Sequence, residues 1–161
     1  MTIEEELNRL NYPSPASPNG LMAEIGVYCV NNAGEVLERA KAVLRIVIDR
    51  ELELDDPATY WEVLLPKWFV DACHPELSKE EAERMLRKPG GFDLYAKMWS
   101  LSDFLHWFHE DKRSWYWWSS EIKSSDYFTM QLVVDGYPFA WGALNFLLEA
   151  AGAVKSVETN D

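Results

Sequence analysis

The chain is short of cysteine, histidine and basic residues, and each shortage closes off a class of function. Its 161 residues include two cysteines, Cys29 and Cys73, and no Cys-x-x-Cys. Two thiolates cannot complete a four-ligand zinc centre alone, and both cysteines sit among apolar neighbours, as reduced structural thiols do. Lys and Arg number 15 against 27 Asp and Glu, a net charge of −12. The bases are scattered along the chain, so direct binding of a nucleic-acid backbone, which needs clustered Lys and Arg, is not expected. No apolar run reaches the roughly 18 residues that read as a membrane span. The N-terminal Met1-Thr-Ile-Glu-Glu-Glu6 lacks the basic and apolar regions of a secretory signal, so a cytoplasmic protein with no membrane contact is expected. Also missing are Gly-x-Gly-x-x-Gly, a phosphate loop, Gly-x-Ser-x-Gly and His-Glu-x-x-His. Their absence argues against nucleotide-dependent enzymes and serine hydrolases, and no motif asks for a cofactor. Carboxylates that meet only in the fold would leave no such signature.

What is present reads as one globular unit. A chain of this length buries roughly 70% of its unfolded surface and needs no staple. Thr2 and Glu5 form a capping-box pattern for a short helix over 3–10. Pro13, Pro15 and Pro18 then forbid a helix and favour an extended arm ending at Asn19-Gly20. Leu21, Ala23, Ile25, Val27 and Cys29 alternate onto one face of a strand. Asn32 and Glu35 repeat the cap pattern before an amphipathic helix near 33–51, with Glu35, Glu38, Arg39, Lys41, Arg45 and Asp49 on its exposed side. Five acids crowd Asp49–Asp56, without the glycine and ligand spacing of a calcium loop. Asp56-Pro57 starts a helix that is kinked or split at Pro66, and His74-Pro75 ends it. Ser78 and Glu81 cap a helix through Arg87, closed by Pro89-Gly90-Gly91. Helical spacing returns in Phe92, Tyr95 and Trp99, and Ser100 with Asp103 caps a helix over 101–111.

From Trp115 the period changes to two. Trp115, Trp117 and Ser119 oppose Tyr116, Trp118 and Ser120, and Phe128, Met130, Leu132 and Val134 share one parity. This predicts a 114–135 hairpin turning across Ile122–Asp126. Pro138 opens a last helix and Gly152 closes it. The expected class is α+β: five or six helices on a small antiparallel sheet made of the N-terminal strand and the hairpin. Residues 1–20 read as a short helix and Pro-rich arm, 21–154 as the single globular domain, and 155–161 as a polar tail.

The densest feature is Phe92–Trp118, where ten of 27 residues are aromatic and five of the eight tryptophans lie. His106 and His109 stand three apart on a predicted helix with Glu110 beside them, the donor types of a two-imidazole, one-carboxylate metal site. The plainer alternative is two histidines on a helix flank. Cys73-His74 suggests a thiolate–imidazole pair, but adjacent residues rarely reach the required geometry, and Cys73 falls on an apolar stripe. Trp115–Trp118 could stack nucleic-acid bases, but only Lys112 and Arg113 lie near to hold the phosphates. Trp107, Trp115, Tyr116, Trp117 and Trp118 are therefore the candidate partner-binding residues, because Trp and Tyr dominate interface hot spots. Small size, strong acidity and few catalytic residue types favour a protein that inhibits, neutralises or chaperones a basic partner. In composition the chain is similar to small acidic bacterial immunity proteins and to secretion chaperones, a resemblance that rests on no motif and assigns no residue. The competing expectations are a small metal-dependent hydrolase using His106, His109 and Glu110, and a homo-oligomeric subunit closed by its tryptophans.

Overall fold

A computed structural model describes residues 1–12 and 17–159 of the chain. Four antiparallel strands form one sheet: β1 (Leu21–Tyr28), β2 (Trp115–Ser124), β3 (Tyr127–Val134) and β4 (Lys155–Thr159), in the order β2-β3-β1-β4. Eight α-helices accompany it among the described residues. They are α1 (Ile3–Asn11), α2 (Ala33–Asp49), α3 (Ala58–Leu64), α4 (Lys67–Ala72), α5 (Lys79–Leu86), α6 (Gly91–Tyr95), α7 (Leu101–His106) and α8 (Gly142–Ala151). The α+β class is as expected, with more and shorter helices. Pro66 splits one predicted helix into α3 and α4: Leu65 and Pro66 are extended, as the residue before a proline prefers. Helix α6 stops at Tyr95 rather than running to Ser100, and α7 stops at His106 rather than 111.

The local signals that held are those satisfied within a few residues. Capping boxes close at Thr2/Glu5, Ser78/Glu81 and Ser100/Asp103. Gly152 ends α8 in the left-handed conformation that a side chain would oppose. Asn32 departs from its pattern: its side chain accepts from the Val30 N–H (3.2 Å) instead of capping α2. A tertiary contact replaces that cap, since Ala33 N–H donates to the Ser125 carbonyl (3.0 Å). Pro138 does not open α8, which begins four residues later at Gly142.

The core lies between one sheet face and the helices. Ala23, Ile25 and Val27 of β1 and Phe128, Met130 and Leu132 of β3 meet Val36, Ala40, Val43, Leu44 and Val47 of α2 and Leu144, Leu147 and Leu148 of α8. Each such Val, Leu or Ile contributes about 1.5–3 kcal/mol by leaving water. The other sheet face is mixed, with Met22, Tyr28, Tyr127 and Val133 beside a polar centre. Gln131 donates to Glu24 (3.0 Å) and to Thr129 (3.1 Å), and accepts from Ser119 (2.8 Å). The hairpin turn is tighter than predicted, at Ser125–Asp126.

Helix α1 and strand β4 both join the body. Leu10 is fully buried, and α1 packs on β2 and α2. Pro13 and Pro15 of the predicted arm lie outside the described residues. Lys155–Thr159, read as polar tail, is strand β4 paired with β1, and residues 160–161 are not described. Its polar side chains hid a strand whose stability comes from backbone pairing to a neighbour.

Helices α5 and α6 are the exception to this packing. Gly91 is the only buried residue in the two helices, and no side chain from 76–98 joins the core. The two helices pack chiefly on one another. Their corner is set by Gly90 in the left-handed region (φ 72°) and by Gly91, where a Cβ would stand 1.8 Å from the Met85 carbonyl oxygen.

Candidate partner-binding surface

The structure divides the predicted aromatic residues. Trp115 and Trp117 point into the core and are almost wholly buried, so they cannot touch a partner. Tyr116 and Trp118 are half-buried. The alternation predicted for this strand breaks at Trp118, where the register shifts between Trp117 and Ser119. One extra residue there turns Ser119 to the face of Gln131 and away from that of Trp117. The Arg9 guanidinium lies 3.4 Å over the Trp118 ring, and that of Arg113 4.7 Å from the Tyr116 ring. Both rings are thus capped by cations of the chain itself. Trp107 is half-buried against the core, just past the end of α7.

Beneath these rings sits a charge pair the sequence did not reveal. Glu6 is 1% exposed, and its carboxylate accepts from both terminal nitrogens of Arg113 and from the Trp117 backbone N–H (2.7 Å). Strand β2 is a sheet edge, and Glu6 closes part of it by taking an N–H that no neighbouring strand reaches. Its hydrophilic neighbours Glu4 and Glu5 concealed this role; the signal available was its place one turn before buried Leu10 on the inner face of α1.

The metal triad does not assemble. Helix α7 ends before His109 and Glu110, so the helical spacing that would have brought the three together is lost. Ring centroids of His106 and His109 are 6.2 Å apart, and both line a cleft of about 320 Å³. Glu110 lines a separate cleft with Glu6, Arg113 and Tyr116. Among the described residues, no three His, Cys, Asp or Glu side chains gather as a metal-binding group. Cys73 and His74 do not pair either. The Cys73 thiol donates to the Phe69 carbonyl (3.3 Å), and the His74 Nδ1 faces the Pro75 carbonyl (2.8 Å). Burial, reinforced by Glu76 and Glu62, pushes that thiol up to about 12, the opposite of what a nucleophile needs.

The histidine cleft is instead walled by the acidic run. Leu54, Asp55, Asp56, Pro57 and Ala58 form its other side, and Asp55 stands 3.3 Å from His109 Nε2. The run is a ridge. It begins with a short 3-10 turn, Glu51–Glu53, and is pinned from below by buried Leu54 and by Trp61, whose indole N–H donates to the Glu53 carbonyl (3.0 Å). Arg50 partly neutralises Asp49 (3.6 Å) and Glu53 (3.7 Å). Glu51 and Asp56 have no ion-pair partner among the described residues. At the crest of this turn Leu52 is 98% exposed, among carboxylates.

Among the described residues, no helix is long and apolar enough to cross a membrane. Comparison of the chain with protein families, with curated proteins and with solved structures finds no match.

Proposed function

We propose that this protein binds a basic protein partner, inhibiting, neutralising or chaperoning it, and that the partner seats on the ridge around Leu52. The observation that carries this reading is the 98% exposure of Leu52 on a pinned turn within a run of five acids, Asp49–Asp56. A leucine held in water gains about 1.5–3 kcal/mol when an interface covers it. Carboxylates around it steer an oppositely charged surface and reject acidic ones. Half-buried Trp107 stands beside His106, with their rings 5.3 Å apart, and His106 lines the cleft next to the ridge. This keeps part of the predicted contact surface and drops Trp115 and Trp117 from it.

The test is capture from the native host by wild type, by Leu52→Ser, and by Glu51→Lys/Asp55→Lys/Asp56→Lys. A Glu121→Lys/Asp135→Lys/Glu149→Lys variant, exposed and away from the ridge, controls for total charge. A basic protein should be held at low salt by wild type and by the charge control, and lost by both ridge variants. Equal capture by all four proteins would reject the ridge as the site.

A further inference from the structure

The ridge is built for a surface that is apolar at its centre and basic around it, and the chain carries such a surface itself. At the α5–α6 corner Phe92 is 71% exposed, Leu94 57% and Leu86 44%. Arg84, Arg87, Lys88 and Lys97 are exposed around them, with Asp93 the one acid in 84–97, while Glu80, Glu81 and Glu83 lie on the first turns of α5, away from the corner in sequence. Four of the chain's fifteen bases thus fall within one local stretch, 84–97. Among the described residues none of these four makes an ion pair, whereas Arg39, Lys41, Arg50, Lys67, Arg113 and Lys123 each do. The corner is a formed shape, because Gly91 lets α6 touch the Met85 carbonyl, yet it gives nothing to the core.

We propose that the α5–α6 corner of one copy docks on the Leu52 ridge of a second copy, with Phe92 and Leu94 covering Leu52 and the four bases facing Glu51, Asp55 and Asp56. The assignment rests on the ridge being a seat for basic protein surface. Charge complementarity selects the occupant: an unpaired basic, apolar corner and an acidic, apolar ridge occur on one chain. The net charge of −12 on each copy opposes approach at a distance. At physiological salt that repulsion is screened beyond about 8 Å, while the facing patches meet inside that range. Two copies can exchange corner for ridge reciprocally and close as a dimer, or join head to tail.

The experiment is light scattering on the full chain over a concentration series at physiological salt. Wild type should at least double its mass as concentration rises. Leu52→Ser and Phe92→Ser should each weaken assembly at least about tenfold, as loss of a central interface side chain does. Both positions are exposed, so unchanged circular dichroism is expected and checks the fold. Charge exchange gives the sharper readout. Arg84→Glu/Arg87→Glu/Lys88→Glu/Lys97→Glu should be monomeric alone, as should Glu51→Lys/Asp55→Lys/Asp56→Lys, and mixing the two should restore assembly. Wild type that stays monomeric to its solubility limit overturns the inference. So does assembly that survives either reversal, or a mixture that stays monomeric. Binding of phosphatidylserine vesicles by a monomeric wild type, lost in the corner reversal, would assign the corner to membranes and overturn it too. If ridge-dependent capture of a foreign basic protein persists while self-assembly fails, only this inference falls. If self-assembly needs the ridge and no foreign partner is captured, the foreign-partner reading falls instead.

Discussion

Glu6 and Arg113 show how much depends on single side chains here. Glu6 is buried and Arg113 nearly so, and their charges compensate one another against the β2 edge. Removing one partner strands the other charge in an apolar setting, which costs more than the pair contributes. Glu6→Ala should therefore lower unfolding free energy by about 3–5 kcal/mol in urea melts. The apolar pair Glu6→Leu/Arg113→Met should recover much of that loss, and a double variant as unstable as the single would refute this account. Lys41 is the converse case. The sequence places it on the exposed side of α2, but it is only 8% exposed, 3.9 Å from Glu38 and 5.9 Å from the Trp117 ring. Burial lowers its pKa from the ordinary 10.5, with Glu38 opposing the shift. The folded state then holds this proton less tightly than the unfolded state, so the cost is full below the folded pKa. It fades as pH rises through that value toward 10.5. Lys41→Met should stabilise by roughly 1 kcal/mol at neutral pH. The gain over wild type should shrink in alkali, as paired thermal melts across pH would show; a gain constant with pH would contradict it.

Elements differ in what holds them. Helix α2 is written in its own periodicity and buried along its length, so its position follows from the pattern. Helix α7 shows where pattern fails: Ser100 and Asp103 announce its start, but nothing local marks its end at His106, and the predicted metal triad failed with it. Strand β2 has visible alternation, yet the bulge at Trp118 changes which side chains share a face. Strand β4 has no apolar alternation and forms because β1 offers a free edge. The α5–α6 corner depends on Gly91 alone for its close approach. Gly91→Ala must push α6 off the Met85 carbonyl, since a Cβ at 1.8 Å cannot be accommodated. Hydrogen exchange in residues 79–95 should speed up, while the global melting temperature should change little because this region shares no core. A large global loss would mean that the corner supports the body after all.

At the scale of the molecule, charge and apolar exposure are arranged together. An acidic ridge with Leu52 at its crest and a basic corner with Phe92 and Leu94 stand on a chain whose overall charge is strongly negative. Composition shows the acidity, from which a basic partner is an expectation, but not that the excess aromatics would mostly serve the core. The α+β class, the capping boxes, strand β1, helix α2 and the hairpin were determined by the sequence itself, because periodicity and caps are satisfied by residues a few positions apart. Only the tertiary structure decided that Trp115 and Trp117 face inward, that Glu6 reaches Arg113 across the fold, and that Glu110 parts from His106 and His109. It alone made the 49–56 acids a ridge with the histidines on one wall. Those outcomes depend on where helices stop and which sheet face is covered, and both are set by packing between residues far apart in the chain.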